Sequence, residues 1–440
     1  MYNFFLSETD RLNAILAQNA PITVKELAEK EIARFAMSKR RRDMLTGEKY
    51  YMGEHDILRR KRTAIGEGGK TVEIDNLPNN RVINNIYKRL VDQKVNYLLG
   101  KPLTVRCEDK GAESKIKRCF NREFFRTLKN IGEDALNCGI GWLYVYFDRK
   151  GNPQFKRIRP FELIPGWADS EHTSLDYAVR VYDTLCYEGR RERLVTKAEL
   201  YTNEGVIRYI LEGSTLKEET SFKPYFSVDG KNYCFGRIPL IGFKYNSKEL
   251  PLIKNVKGLQ DGLNRLLSDF QNCMEEDVRN TILVIKNYDG EDLGQFRKNL
   301  SAYGAVKVKT VDGSQGGVET LNIQVNADNY KAIIDIFKKA IIENGRGYDA
   351  KDDKLYSNPN QMNILSMYND IDIDANGMET EFAASLEQLL YFIGVDNMET
   401  EFIFNRSMIM NESEVIENIV KSEGLVDEEV LRAKHPWITK

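Results

Sequence analysis

The sequence predicts a mixed α+β protein in which helical segments flank a long antiparallel β region. Apolar residues recur at helical spacing in residues 83–98, 259–278 and 333–342. Between residues 141 and 245 they give way to short runs rich in β-branched and aromatic residues, separated by turn sequences such as DRKGNP and TNEG. The chain has 440 residues, enough for several modules, and shows no repeat of fixed period.

The N-terminal half begins with a helical composition. Residues 22–51 are rich in Ala, Glu, Lys, Arg and Met and predict one helix; its basic run SKRRRD indicates a solvated face, with nucleic-acid contact as the less favoured alternative. The stretch that follows, up to residue 79, gathers Gly, Asp, Asn and Pro and predicts a loop with a short hairpin. Helices are then predicted from Asn80 to the stop at Gly100 and from about Glu113 to Asn137.

The C-terminal half is predicted to be mostly helical. An amphipathic helix with one apolar stripe runs from Leu259 to Val278. Residues 281–325 predict a small α/β module made of a strand, a short helix and a β-hairpin around a Gly-rich turn. A second amphipathic helix ends at Gly345, and a polar loop of mixed charge precedes a long helix and two short tail helices.

Composition limits the function. The chain carries 64 Lys and Arg residues against 66 Asp and Glu residues, a net charge of −2, which disfavours gripping nucleic acid by bulk electrostatics. Its six cysteines form no C-x-x-C pair and its three histidines lie far apart, so we expect no zinc site and reduced thiols typical of the cytoplasm. We also expect no membrane span and no signal peptide, because the apolar runs are too short.

The stretch AIGEGGKTVEI, residues 64–74, is similar to a relaxed phosphate-binding loop, because Lys70 and Thr71 follow a glycine cluster. Such a loop needs a buried strand before it and a helix N-terminus after it. Here the charged run DILRRKRT precedes the glycines, and Pro78 stands where the helix should continue. The sequence therefore favours an exposed glycine-rich turn, with a P-loop nucleotide hydrolase using Lys70 and Thr71 as the alternative.

The acidic run DIDIDANGMETE is a second candidate site, because Asp370, Asp372, Asp374 and Glu381 match positions 1, 3, 5 and 12 of a calcium loop. Ala375 replaces the glycine that the sharp turn needs, and the run lies within a helical pattern. We therefore predict an acidic helix face. Since the sequence has no nucleophile elbow, no His paired with a Cys or Ser in a recognisable context and no H-E-x-x-H motif, we expect no catalytic residues, no metal and no cofactor.

Several longer motifs follow one another along the chain. They are YYMGEHDI, LPNNRVINNIYKRLVDQKVNYLLGKPLTV, DALNCGIGWLYVYFDRKGNPQFKRIRPFELIPGW, LQDGLNRLLSDFQNCMEEDVRNTILVIKNYDG and the closing VIENIVKSEGLVDEEVLRAKHPWI. From about residue 30 to the end, their order resembles the portal proteins of tailed bacteriophages, of the type common in siphophages of Gram-positive hosts.

The resemblance implies a subunit that joins others in a ring, generally of about twelve. Such a ring serves as the DNA entry and exit channel at the capsid vertex. The implied regions are, in chain order, a helical and antiparallel-β wing 1–256, a first stem helix 257–280, a small α/β clip 281–325, a second stem helix 326–345, a tunnel loop 346–359, a long wing helix 360–395 and a short helical crown 396–440.

The resemblance also implies two sets of site residues. The tunnel loop would make weak, transient contacts with DNA phosphates through its mixed charges, Arg346, Asp349, Lys351, Asp352, Asp353 and Lys354. The short clip helix would dock the packaging motor or a neighbouring subunit through Phe296, Arg297 and Lys298. An alternative is equally favoured, in which this is an ordinary solvated helix and Phe296 packs in the clip core.

The implied partners are the other subunits of the ring, double-stranded DNA passing through the channel, the terminase large subunit, the major capsid and scaffolding proteins, and a head-completion adaptor. Among these, the terminase large subunit hydrolyses ATP. The protein would reside at the portal vertex of the virion after assembly in the host cytoplasm, with no membrane partner. A cytoplasmic scaffold protein that never closes into a ring is the remaining alternative, alongside the nucleotide hydrolase.

Overall fold

The computed structural model describes residues 23–65, 70–73, 77–228, 230–277, 282–286, 317–321, 327–349, 361–395, 399–406, 412–424 and 431–432. The chain forms two compact units. The first comprises Met1–Glu54, Asn85–Lys257 and Ile341–Lys440, and the second comprises His55–Asn84 and Gly258–Ala340. Both contain helices and antiparallel strands, which confirms the predicted α+β class.

The first unit begins with two helices, α1 (Val24–Met37) and α2 (Lys39–Tyr51), where the composition predicts one. Ser38 separates them because it adopts an extended conformation with ψ of 149°. Its hydroxyl accepts a hydrogen bond from the Arg41 amide at 3.0 Å and so caps the second helix. A single serine inside a helical composition therefore ends one helix and begins the next.

The next helices are also shorter than predicted. They are α3 (Ile86–Leu99), α4 (Lys110–Cys119) and α5 (Arg122–Cys138). The start predicted at Asn80 is wrong, because Asn85 caps α3 by accepting from the Lys88 amide at 2.9 Å. The single helix predicted from Glu113 is divided at Asn121, whose side chain accepts from the Phe124 amide at 3.0 Å.

The predicted antiparallel meander is confirmed for five strands, whereas the predicted runs GWLYVYFD, PQFKRIR and IPLIGFKY form a separate sheet. The five strands of the meander pair in sequence order: β6 (Leu163–Trp167), β7 (Leu175–Glu188), β8 (Arg191–Tyr201), β9 (Gly205–Glu212) and β10 (Thr215–Pro224). A three-stranded sheet has the order β13 (Leu240–Lys244), β4 (Ile140–Phe147), β5 (Pro153–Ile158). Two short pairs complete the described strands of this unit: β3 (Thr104–Cys107) with β16 (Thr400–Ile403), and β11 (Phe226–Val228) with β12 (Lys231–Tyr233).

The core of the first unit is aromatic and aliphatic. Trp142 on β4 and Trp167 on β6 stack with ring centroids 5.6 Å apart, and Met44 of α2 and Ile140 join the same buried cluster. The predicted long helix is α8 (Gln361–Phe392), and its Phe382 packs edge-on against Phe243 of β13 at 5.1 Å. The tail contains α9 (Glu412–Lys421), the first of the two helices predicted there.

The described part of the second unit combines two antiparallel strand pairs with two helices. They are β1 (Thr63–Ile65) with β2 (Thr71–Glu73), β14 (Ile282–Lys286) with β15 (Gly317–Leu321), most of α6 (Ile253–Asp277), and most of α7 (Ala327–Asn344). Phe270 and Tyr330 bring α6 and α7 together at 5.0 Å, and a Cβ added to Gly262 would lie only 2.5 Å from Phe337. The helices therefore approach closely at that glycine.

A buried polar stripe on α6 holds residues 80–84 in an extended conformation. The stripe consists of four side chains spaced four residues apart, each at most 3% exposed: Gln260, Asn264, Ser268 and Asn272. The amides of Asn80, Val82 and Asn84 donate to Asn272, Ser268 and Asn264 at 2.7, 2.9 and 3.0 Å. The spacings match because four helical residues rise about 6 Å and two extended residues about 6.6 Å. These bonds explain why α3 does not begin at Asn80.

Candidate functional site

The segment that leaves α7 is pressed against α3. Arg346 has a left-handed backbone with φ of 49°, and Cβ atoms added to Gly345 and Gly347 would lie 2.5 and 2.3 Å from Leu90. Larger residues would therefore push this segment away from α3. We call residues 345–349, with the side chains of α3 and α8 that contact them, the loop base, because the predicted tunnel loop starts here.

Lys94 is the buried centre of the loop base. It is 4% exposed, and its Nζ donates to the Arg346 carbonyl at 3.0 Å and to Asp374 of α8 at 2.6 Å. The Tyr245 hydroxyl donates to the same carboxylate at 2.8 Å. Burial lowers the pKa of Lys94, and the Asp374 carboxylate limits that decrease. The ion pair of Lys94 and Asp374 thus links the loop backbone to α3 and α8.

Two further side chains of α3 hold the loop backbone. Gln93 donates to the Tyr348 carbonyl at 2.9 Å and accepts from the Tyr348 amide at 3.1 Å, so one amide side chain satisfies both backbone groups. Arg89 donates to Asp349 at 2.7 Å. The Tyr348 ring packs on Tyr368 of α8 with centroids 4.7 Å apart. The first residues of the loop are consequently fixed on two helices.

The predicted loop residues are only partly within the described chain. Arg346 has a side chain 58% exposed, 3.9 Å from Asp374, whereas Asp349 is paired with Arg89. The remaining predicted DNA contacts, Lys351, Asp352, Asp353 and Lys354, and the predicted clip residues, Phe296, Arg297 and Lys298, lie outside the described residues. Those two sets stay predictions.

The glycine-rich stretch connects two strands. Lys70 is exposed just before β2, which starts at Thr71 and pairs with β1. A phosphate-binding loop requires a helix whose first amides point at the phosphates, and here an antiparallel strand follows instead. The strand pairing therefore does not fit the phosphate-binding loop of a nucleotide hydrolase.

The acidic run lies on α8, as predicted, and its carboxylates have protein partners. Asp374 binds Lys94 and Tyr245, while Asp372 accepts from Tyr97 at 2.6 Å and from Arg406. Among the described residues, no group of three or more His, Cys, Asp or Glu side chains is placed to hold a metal ion. The six cysteines are free thiols.

Sequence reasoning did not identify Gln93, Lys94 or Asp374 as loop-base residues. Lys94 lies three and four positions after the apolar residues Val91 and Leu90, hence on the buried face of α3. A lysine at such a position signals a buried ion pair, because a buried ammonium needs a partner. Its partner Asp374 is 280 residues away in sequence, which no local pattern reveals.

The comparison with known families decides the identity. The model of phage portal proteins of the SPP1 Gp6-like type matches residues 35–440. The chain belongs to this family of phage portal proteins. Membership confirms the resemblance drawn from the motifs and gives the chain a portal function within a family of structural proteins.

Two curated relatives agree. The portal protein of Clostridium phage phiCD119 is 27% identical over 416 residues, covering 91% of this chain and 90% of the relative. The portal protein of Bacillus phage SPP1 is 25% identical over 459 aligned residues, covering 100% of this chain and 89% of the relative.

A solved structure described as the neck of a native GTA particle, computed with C12 symmetry, covers 80% of this chain and 90% of its own. Its TM-score is 0.41 and its sequence identity 12%, so this likeness supports no further conclusion. No helix among the described residues is long and apolar enough to cross a lipid bilayer.

Proposed function

We propose that the chain is one subunit of a closed ring of about twelve copies, through which duplex DNA enters and leaves the capsid at one vertex. The family match over residues 35–440 carries this proposal. A ring through which DNA slides must not hold phosphates tightly, because each neutralised phosphate adds counterion-release free energy and so a barrier to movement. The net charge of −2 suits such a conduit.

The regions implied by the family are part of the proposal. The helices α6 and α7 would form the stem, the pair β14–β15 would belong to the clip, and α8 would be the long wing helix. The described helix bounds support this division, since they lie within a few residues of the proposed stem and wing segments. Residues 396–440 would form the crown. His55–Asn84 falls in the second unit although the proposed wing includes it.

The loop base would position a tunnel loop, residues 346–359, in the channel. Its three cations and three carboxylates balance, which favours transient phosphate contacts over tight binding. Because Asp349 is engaged by Arg89, and Arg346 keeps an exposed side chain, the described part of the loop leaves a cation accessible to DNA. Lys351 and Lys354 would supply the other phosphate contacts.

Further partners follow from the portal role. The clip, with Phe296, Arg297 and Lys298, would dock the terminase large subunit, which supplies ATP hydrolysis and leaves this chain without a catalytic task. Major capsid protein, scaffolding protein and a head-completion adaptor would bind other surfaces. The ring would assemble in the host cytoplasm and remain in the virion.

The loop proposal is tested by replacing Lys351 and Lys354 together with alanine and measuring the DNA packaged per capsid in infected cells. We expect packaging to fall while rings still form, because the loop loses two phosphate contacts. The matched control replaces Lys150 and Lys231, two exposed lysines of the first unit outside the loop base, and should package normally. Normal packaging by the loop variant would count against the proposed contacts.

A further inference from the structure

The strands β7 and β8 continue beyond the rest of their sheet as a two-stranded arm, which we define as residues 183–196. Within the arm the two strands pair with each other, starting from Asp183 opposite Thr196. Among the described strands, β6 pairs with β7 only as far as Arg180, and β9 pairs with β8 only from Lys197 onward. The arm therefore extends about 20 Å past the paired part of the sheet, at about 3.3 Å per residue.

One face of the arm is apolar and uncovered. Leu185 and Leu194 lie directly opposite each other and are 54% and 64% exposed. Tyr187, two residues further along the same face, is 68% exposed. An isolated two-stranded hairpin is only marginally stable in water, and burial of apolar surface is favourable. The arm would therefore gain stability from a partner that covers this face.

Two carboxylates flank the apolar face. Asp183 accepts a hydrogen bond from the Thr196 hydroxyl at 2.7 Å, and Glu192 accepts one from the Tyr187 hydroxyl at 3.3 Å. Because side chains alternate along a strand, the two arginines of β8 lie on the opposite face of the arm. A partner of the apolar face should therefore combine exposed apolar side chains with positive charge.

A surface of that kind lies at the junction of α1 and α2. Met37, the last residue of α1, is 84% exposed. The basic run SKRRRD follows it, and Lys39 and Arg42 of this run are exposed, whereas Arg40 bonds Glu249 within the chain. We call Met37, Lys39 and Arg42 the basic junction. Since the basic junction and the apolar face of the arm are both exposed, neither covers the other within one chain.

We propose that the apolar face of the arm docks on the basic junction of a neighbouring copy of this chain. The leucine pair packs on Met37, and the two carboxylates of the arm pair with Lys39 and Arg42. Because the two surfaces consist of different residues, the contact is head-to-tail, and repeated head-to-tail contacts can close into a ring. This contact rests on the proposed ring and names one of its subunit interfaces.

The first experiment places a photo-crosslinking residue at Leu194 of the full-length chain. Isotopically labelled and unlabelled chains are mixed before ring assembly, and the rings are then irradiated. We expect mass spectrometry to find crosslinks from the arm to the segment 34–42, including pairs of one labelled and one unlabelled chain. The same residue at Thr184, on the opposite face of the arm, is the control and should not give this product.

Two crosslinking results would overturn the proposal. One is a set of crosslinks from Leu194 that reaches only other segments of the chain. The other is a crosslink, in particles from infected cells, that joins Leu194 to a different virion protein and never to a second portal chain. The second result would assign the arm to that protein.

The second experiment exchanges the charges across the contact. Asp183→Lys combined with Glu192→Lys should raise the protein concentration at which half of the rings dissociate at least about tenfold, because like charges then face each other. Adding Lys39→Glu and Arg42→Glu to the same chain should restore most of the lost association. Thr184→Lys is the matched control and should associate like the wild type. Mass photometry measures the rings, and circular dichroism checks that each variant is folded.

The failure of this contact can be distinguished from the failure of the proposed ring. Wild-type rings that dissociate at the same concentration as rings of the double arm variant would overturn the contact and leave the ring intact. A folded four-substitution variant that does not regain association would overturn the pairing with the basic junction. A wild-type chain that never forms rings would overturn both proposals.

Discussion

Lys94 connects three parts of the molecule at the scale of single residues. Its ammonium binds the Arg346 carbonyl and Asp374, so it fixes the start of the loop through one buried charge. Removing one partner of a buried ion pair costs about 3 kcal/mol or more, because the other charge stays buried. Lys94→Met should therefore release the loop base locally before it unfolds the chain.

This release is measurable by limited trypsin digestion, with the fragment ending at Arg346 followed by mass spectrometry. We expect cleavage after Arg346 to accelerate at least about tenfold in Lys94→Met, and less in Gln93→Ala, which loses only uncharged hydrogen bonds. Lys88→Met on the exposed face of the same helix is the control and should leave the rate unchanged. Equal cleavage rates in all three variants would show that Lys94 does not hold the loop.

Asp134 gives a pH-dependent prediction. Burial raises its pKa to about 6, although Arg157 opposes this by donating two hydrogen bonds. Because the folded pKa exceeds the unfolded value near 3.9, the native state binds more protons between these values, and stability falls as pH rises from about 4 to 6. The stability advantage of wild type over Asp134→Asn should shrink by about 2–3 kcal/mol across that range.

Urea unfolding of both proteins from pH 3.5 to 7.5 tests this prediction, since asparagine does not titrate. If Arg157 instead kept Asp134 ionised at low pH, the difference would rise with pH below 4 and stay flat above it. That opposite slope would refute the raised pKa.

Single residues were predictable from the sequence where a local pattern marks them. The helical setting of the acidic run correctly predicts that Asp372 and Asp374 lie on a helix. It does not reveal their partners Lys94 and Arg406, because pairing across the fold depends on packing between distant segments. The role of Ser38 was likewise not predictable, because a serine within a helical composition can either face solvent in mid-helix or cap the start of a new helix.

The polar stripe of α6 is the clearest feature at the scale of secondary-structure elements. Asn264 accepts from the Asn84 amide and from Gln260 and lies 2.8 Å from His55, all of them buried or partly buried. Asn264→Leu would leave several of these groups without partners, at about 1–3 kcal/mol each. We expect it to destabilise the second unit by several kcal/mol and to free residues 80–84.

Hydrogen exchange measured by mass spectrometry checks this expectation through the amides of Asn80, Val82 and Asn84. They should exchange faster in Asn264→Leu than in wild type, whereas Gln271→Leu on the exposed side of the same helix should behave like wild type. Unchanged protection in Asn264→Leu would mean that the stripe does not hold the segment.

Periodicity predicted most helices and strands but not this stripe. The apolar positions of α6, including Leu259, Leu263 and Leu266, identify the helix and its buried side. Beside these apolar positions, buried polar side chains recur every four residues. They accept hydrogen bonds from backbone amides of a segment about 180 residues earlier in the sequence. Such long-range satisfaction of backbone groups is set by tertiary structure, which a local pattern does not contain.

At the scale of the whole molecule, the order of motifs predicted the portal family, and the match over residues 35–440 confirms it. The two-unit division could not be read from the sequence, because it joins His55–Asn84 with a segment far along the chain.

The proposed ring is tested most directly by negative-stain electron microscopy of the purified chain, with light scattering on the same sample to give the particle mass. We predict closed rings whose central hole is about 20 Å or wider, enough for duplex DNA given its groove dimensions. A strict monomer at every protein and salt concentration would contradict the account.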